Sequence, residues 1–171
     1  MIAFILVSVI VIYLIMMLAL RFGMERGDHL EHNDDYEPSV SIIVAARNEE
    51  QRIEACIKSL LGIDYPAEKL ECIIVNDGST DRTAEIAGEY IAGHPNLKIL
   101  NARPGKDNLL GKTKAVAQGI NASRGEILMF TDADCSVPGT WVRSTVHYFT
   151  SDIGIVGGFT MTAPNGAESW P

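Results

Sequence analysis

Between residues 40 and 156, short β-branched runs alternate with stretches of helical periodicity, and this alternation leaves few folds open. Residues 40–45, 71–75, 97–100, 127–130 and 153–156 have strand length and strand composition, whereas residues 49–61, 81–92, 112–122 and 139–149 read as helices. Strands separated by helices predict parallel β-α-β units, so the expected class is α/β with a mostly parallel sheet. In the first helix Ile53, Cys56, Ile57, Leu60 and Leu61 recur at spacings of three and four, which sets one apolar stripe against the sheet, and Gly62 can end it. Ser79, Thr80 and Asp81 are candidate caps for the second helix, with Ala84, Ile86, Ala87, Tyr90 and Ile91 for its buried side and Gly93 as a stop. Pro138 suits the first turn of the last helix, where its missing N–H costs nothing.

Ahead of this domain, residues 2–20 run without a charge or a proline. At about 1.5 Å per residue, a helix of ~19 residues spans roughly 28 Å, the thickness of a bilayer's hydrocarbon core. A cleaved signal peptide is the competing reading, but it calls for a basic start and a shorter apolar core. No Lys or Arg precedes this run, so one transmembrane helix over residues 1–20 is expected. Residues 21–38 are charged, lack apolar periodicity and end at Pro38, which reads as a juxtamembrane linker; the domain proper is expected over 39–171. Arg21 and Arg26 directly follow the span, so the positive-inside bias holds that domain in the cytoplasm.

The formal net charge is −8, which argues against general affinity for nucleic acid, because phosphate binding there needs a basic surface. Acidity fits a domain that recruits a divalent cation, and equally one that is kept soluble by charge. Cys56, Cys72 and Cys135 form no Cys-x-x-Cys pair, which suits small buried hydrophobes in a reducing compartment.

Acidic clusters follow three of the strand-like runs: Ala46-Arg47-Asn48-Glu49, Asn76-Asp77-Gly78-Ser79 and Asp132-Ala133-Asp134. Open α/β sheets bind ligands beyond the carboxyl ends of their strands, so these carboxylates can converge on one ligand. Asp132 and Asp134 are one residue apart; in an extended segment they would point the same way and serve one hard cation, with Mg2+ or Mn2+ favoured by oxygen ligands and retained water. A surface turn is the plainer reading of such a pair taken alone. Asp77 can accept a hydrogen bond from a base N–H or a ribose hydroxyl, or instead close a turn into the next helix. Glu49 and Arg47 have ordinary roles open to them as a helix-start acid and a solvated base. Gly111-Lys112 before a helix could bring an ammonium and free N–H groups to a phosphate, although no Walker sequence is present. Residues 101–111, with Pro104, Arg103, Lys106 and Asp107, read as a mobile loop.

Taken together, Ser41 through Glu49, Val75 through Asp81, Gly111-Lys112 and Thr131-Asp132-Ala133-Asp134 resemble the inverting family 2 glycosyltransferases, which have the glycosyltransferase A-type fold. The resemblance implies a Rossmann-like, nucleotide-binding sheet and transfer of a sugar from a UDP-sugar, with inversion, to a polysaccharide or glycolipid hydroxyl. It also implies that Ala46, Arg47 and Glu49 line the nucleotide pocket, that Asp77 holds the uracil and that Lys112 lies near the nucleotide. Asp132 would face the ribose or the metal, and Asp134 would be the metal ligand, for Mg2+ or Mn2+. Ala117 stands where the family often has asparagine, and Cys135 replaces a frequent acid. The general base and a later Gln-x-x-Arg-Trp motif are expected beyond Pro171, and Glu168 does not match the base motif. The chain is therefore expected to be the donor-binding half of a membrane enzyme and inactive alone. A membrane-tethered nucleotide-sugar-binding module is the alternative. A sugar nucleotidyltransferase ranks behind both, because Ala45-Ala46-Arg47-Asn48 is no Gly-rich triphosphate loop.

Overall fold

The computed structural model describes residues 2–27, 33, 35–104, 109–158 and 160–161. Lys106 and Asp107 of the expected loop, and Glu168, Trp170 and Pro171, lie outside the described residues. Helix α1 (Ile2–Gly27) is followed by β1 (Val40–Ala46), α2 (Ile53–Leu61), β2 (Leu70–Asn76), α3 (Thr83–Glu89), β3 (Leu97–Asn101), α4 (Gly111–Ala122), β4 (Ile127–Asp132) and α5 (Trp141–Val146). All pairings are parallel, and the strand order is β3-β2-β1-β4. The α/β class with a parallel sheet is thus present as the alternating pattern requires.

Two apolar clusters make three layers. Alternate side chains of β1, Val40, Ile42 and Val44, pack with Ile53, Ile57 and Leu60 of α2 and Val142 and Val146 of α5. Ile43 of β1 points the other way, to Ile73, Val75 and Ala115 of α4. This is the period-2 alternation of a strand covered on both faces. Helix α4 lies close to the sheet because Gly119 has no side chain: a Cβ there would stand 2.5 Å from Ile43 Cγ2 and 3.2 Å from Val75 Cγ2.

Several boundaries differ from the expectation. Helix α1 continues past the apolar run to Gly27, and the apolar part, Phe4–Gly23, is long enough to cross a membrane and is not buried by the rest of the described residues. The end of the linker is not detached from the core. Pro38 is buried, its carbonyl accepts the Tyr65 hydroxyl at 2.6 Å, and Glu37 accepts Lys69 at 3.0 Å. The second helix is shorter than its pattern: it gives way after Glu89 to a 3-10 turn at Ile91–Gly93, and Ile91 is exposed, because Gly93 and Pro95 leave no turn to bury it. Helix α5 starts at Trp141, not within residues 138–140. There the Pro138 carbonyl accepts Trp141 N–H and the Gly139 carbonyl accepts Asp64 N–H, so this turn packs on the end of α2. Residues 153–156 form no strand; Gly154 interrupts the run, no neighbouring strand pairs with it among the described residues, and Ile155 is 89% exposed.

Candidate functional site

The chain runs from β1 outward to β2 and β3, then crosses to β4 on the other side of β1. The strand order reverses between β1 and β4, and in open α/β sheets the crevice beyond such a switch is where ligands bind. The register brings the strand ends level: Ala46 lies opposite Asn76, Asn76 opposite Asn101, and Ala45 opposite Asp132. A cavity of about 270 Å³ opens at this edge. Ala46, Arg47 and Glu49 reach it from β1 and the loop that follows, Asp77 from the end of β2, Lys112 from the start of α4, and Asp132 and Asp134 from the end of β4. Every site residue singled out in the sequence therefore lines one cavity.

Its wall is made by stitching two loops together. Asn48 N–H donates to the Ser79 hydroxyl at 3.1 Å, and Thr80 N–H donates to Asn48 Oδ1 at 2.8 Å. Glu49 N–H donates to Thr83 Oγ1 at 2.8 Å, while Glu50 exchanges bonds with Asp81 and with the Arg82 N–H at 3.1 Å each. Asp81 also accepts Thr83 N–H at 3.0 Å in the turn that leads into α3, but the N-cap position is Arg82, which makes no side-chain capping bond, so none of the expected caps Ser79, Thr80 and Asp81 occupies it. Glu49 starts the turn into α2 through its carbonyl, which accepts the N–H of Arg52 and of Ile53. Gly78 has φ +68°, a left-handed conformation that its lack of a side chain permits.

The turn after β2 is closed by Asn76 and not by Asp77. Asn76 Oδ1, not Asp77, accepts Ser79 N–H at 3.0 Å. Asp77 is only 6% exposed, and its carboxylate meets Lys114 Nζ at 2.8 Å and Arg47 Nη1 at 3.9 Å. The turn-closing role of Asp77 is therefore excluded, because its neighbour performs it.

The two aspartates of the last cluster do not sit in an extended segment. Asp132 ends β4, and Cys135 N–H donates to the Asp132 carbonyl at 3.1 Å, which bends Asp134 into a turn pinned by the buried Ala133. Strand alternation thus does not align their side chains; the turn brings both to the cavity. Asp132 Oδ1 meets Lys112 Nζ at 2.5 Å, and Asp134 Oδ2 lies 3.6 Å from Arg52 Nη1. Both carboxylates stay about half exposed, at 55% and 45%. No group of three or more metal-ligating acids, histidines or cysteines exists among the described residues. Two open carboxylates beside a cavity nevertheless fit a hard cation of the Mg2+ or Mn2+ kind, which keeps water and completes its shell with phosphate oxygens. The thiols below play no such part. Burial, with Cys135 and the two aspartates nearby, pushes Cys56 up to about 12, and burial also raises Cys135, so neither is a ready thiolate.

Lys114 and Arg52 escaped the sequence reading. Neither belongs to a recognisable motif, and a lysine two positions beyond Lys112 reads as solvated helix surface; the close seat of α4 at Gly119 is what brings Lys114 to Asp77.

The sequence model described as "Glycosyl transferase family 2" matches residues 41–171. The chain is 36% identical over 134 residues to "Glycosyltransferase AglE" of Haloferax volcanii, covering 77% of this chain and 43% of the relative. It is 37% identical over 114 residues to "Beta-monoglucosyldiacylglycerol synthase" of a Synechocystis species, covering 67% of this chain and 23% of that protein. The chain therefore spans less than half the length of these relatives. Among solved structures, the "Mannosyltransferase PcManGT from Pyrobaculum calidifontis in complex with GDP-Man and Mn2+" superposes with a TM-score of 0.63 at 28% identity, over 71% of this chain and 35% of the other. The "S. aureus TarS 1-349 in complex with UDP-GlcNAc" gives 0.52 at 28% identity, over 62% and 29%.

Proposed function

Because the chain belongs to glycosyl transferase family 2, we propose that it is the donor-binding part of a membrane-anchored enzyme that moves a sugar from a UDP-sugar to a hydroxyl of a polysaccharide or glycolipid. One observation carries this reading: Asp77 from the end of β2, and Asp132 and Asp134 from the end of β4, share the switch-point cavity with Arg47 and Lys112.

In this reading Asp77 receives the base, and Ala46 and Glu49 form the wall against which the nucleotide lies. Arg47 and Lys112 supply positive charge toward the diphosphate. A divalent cation, Mg2+ or Mn2+, held by Asp134 with Asp132, would neutralise charge on the departing diphosphate. The acceptor oxygen bonds to the anomeric carbon as the bond from that carbon to the diphosphate oxygen breaks, so the configuration inverts. The acceptor's proton goes to a base that we place outside the described residues; such a base is typically worth about 10²–10⁴ in rate. In this reading helix α1 anchors the assembly, and Arg21 and Arg26 near its C-terminal end favour the cytoplasmic side for the domain by the positive-inside bias. A relative named as a glycolipid synthase supports a lipid-linked acceptor.

The test uses the natural protein in its membrane fraction, supplied with UDP-sugars and Mg2+ or Mn2+. Metal-dependent release of UDP together with glycosylated product, lost in Asp134→Ala, is the expected result. Nucleotide binding without transfer would favour the tethered binding module, and failure to bind any nucleotide sugar would overturn the reading.

A further inference from the structure

Each carboxylate of the proposed cation site has a basic side chain on it, and the two bases stand differently. Lys112, on Asp132 Oδ1, lines the cavity, where the reading above turns it toward the diphosphate. Arg52, 3.6 Å from Asp134 Oδ2, stands outside the cavity's lining. Resting on the nucleotide-sugar reading above, we infer that Arg52 is a positioning residue that acts through Asp134. Its fixed charge opposes a divalent cation that arrives alone and not one that arrives with a diphosphate, so cation and nucleotide bind as a coupled pair.

Arg52 is a poor residue for the local structure it occupies. It holds the N-cap position of α2, where Ser, Thr, Asp or Asn would satisfy an open N–H, and it makes no side-chain capping bond. A cation there also faces the positive end of the helix dipole. The contacts that start α2 are backbone ones: the N–H groups of Arg52 and Ile53 donate to the Glu49 carbonyl, and Cys56 N–H donates to the Arg52 carbonyl. Any residue at position 52 can make them. The guanidinium is thus unfavourable for its own helix, and the carboxylate it meets is that of Asp134, whose other oxygen accepts the Cys135 thiol, a weak donor, at 3.7 Å.

Charge gives the direction of the effect. A divalent cation on Asp134 brings two positive charges beside the guanidinium and competes with it for the carboxylate, and both effects weaken the bare cation. The diphosphate of UDP cancels or exceeds the cation's charge, so their complex meets no such repulsion. Arg52 therefore widens the gap between the affinity for the cation alone and the affinity for the cation with nucleotide. That gap is a coupling free energy, and it is reciprocal: the cation strengthens UDP by the factor by which UDP strengthens the cation. Arg52 and Asp134 are 63% and 45% exposed, so solvent screens the interaction to the size of an exposed ion pair, a factor of about two to five in affinity.

The experiment uses the natural protein in detergent micelles at low salt. Bound Mn2+ is read from the loss of the free ion's electron paramagnetic resonance signal, and UDP binding from calorimetry. The native protein, Arg52→Gln and Arg52→Lys are each titrated with Mn2+ alone, with UDP alone and with both, while Asp134→Ala supplies the background from the chain's other acids. In Arg52→Gln, Mn2+ alone is expected to bind about two- to fivefold tighter than in the native protein, with UDP affinity at saturating Mn2+ unchanged or weaker. The coupling factor falls accordingly, and Arg52→Lys keeps the native values. A merely structural hold on the turn would act in one direction, weakening Mn2+ with and without UDP. That result, or an unchanged affinity for Mn2+ alone in Arg52→Gln, overturns the inference while the nucleotide reading stands. If Mn2+ leaves UDP affinity unchanged in the native protein, the inference falls together with the cation site; if UDP does not bind at all, the nucleotide reading falls as well.

Discussion

The side-chain oxygen of Asn48 accepts the backbone N–H of Thr80 at 2.8 Å, across the gap between the loops that follow β1 and β2, and Asn48 itself holds a left-handed backbone with φ 57°. Asparagine tolerates that conformation better than most residues, so one side chain answers both demands. Asn48→Ala would lose the bond and strain the backbone, at a cost of about 1–3 kcal/mol. Asn48→Gly would keep the conformation and lose only the bond. Urea unfolding of the pair should therefore show the alanine variant as the less stable; equal stabilities would deny the conformational share.

Removal of the Asp134 carboxylate should separate ligand binding from folding. Asp134 is about half exposed, and its partner Arg52 is 63% exposed, so Asp134→Ala leaves no buried charge behind. The melting temperature should stay within a few degrees of the native value while Mn2+-dependent affinity for UDP is abolished in a calorimetric titration. Retained metal-dependent affinity would take Asp134 out of the metal site.

Gly125 is a packing position. A Cβ there would stand 2.4 Å from Ser41 N and 2.6 Å from Val40 C, and backbone cannot move aside as a flexible side chain can. Gly125 N–H also donates to Ser41 Oγ at 2.7 Å, which holds the entry to β4 against β1. Gly125→Ala should destabilise the domain by about 1–3 kcal/mol, read as a lower urea midpoint with an unchanged slope.

Acid sensitivity should pass in part through Glu71. It accepts the Ser41 hydroxyl at 2.6 Å, Arg124 N–H at 2.6 Å and Lys98 Nζ at 2.5 Å. Burial pushes its carboxyl up, but the bonds from Lys98, Ser41 and Arg124 outweigh burial and hold it below its ordinary value near 4.5. The unfolded chain therefore binds this proton more readily than the folded one. The stabilisation is complete above the unfolded value, about 4.5, and is lost as pH falls through the lower folded value. Glu71→Gln should cost about 1–3 kcal/mol at pH 7 and flatten the acid limb of the stability curve. A variant whose acid limb runs parallel to the native one would remove Glu71 from that response.

The alternation of strand and helix patterns and the places where strands end were readable in the residues, because both depend on local periodicity and composition. The stripe Ile53, Cys56, Ile57 and Leu60 is buried as its spacing requires. The weaker readings failed where a pattern lacked a partner. Residues 153–156 have strand composition but pair with nothing among the described residues, and Ile91 continues a helical stripe past the point where Gly93 and Pro95 let the helix run. At the end of the expected linker, Glu37 and Pro38 look detached until Lys69 and Tyr65, some thirty positions on, fold back to hold them.

By itself the sequence determined that carboxylates would stand at the ends of separate parallel strands, since strand ends and acidic residues are both local facts. Only the tertiary structure decided what each carboxylate meets. The order β3-β2-β1-β4 puts the switch beside β1, the turn at Asp132 replaces the extended geometry that would have aligned Asp132 with Asp134, and the seat of α4 on Ile43 at Gly119 delivers Lys114 to Asp77. Those contacts join residues far apart in the chain, and no local pattern encodes the distance between them.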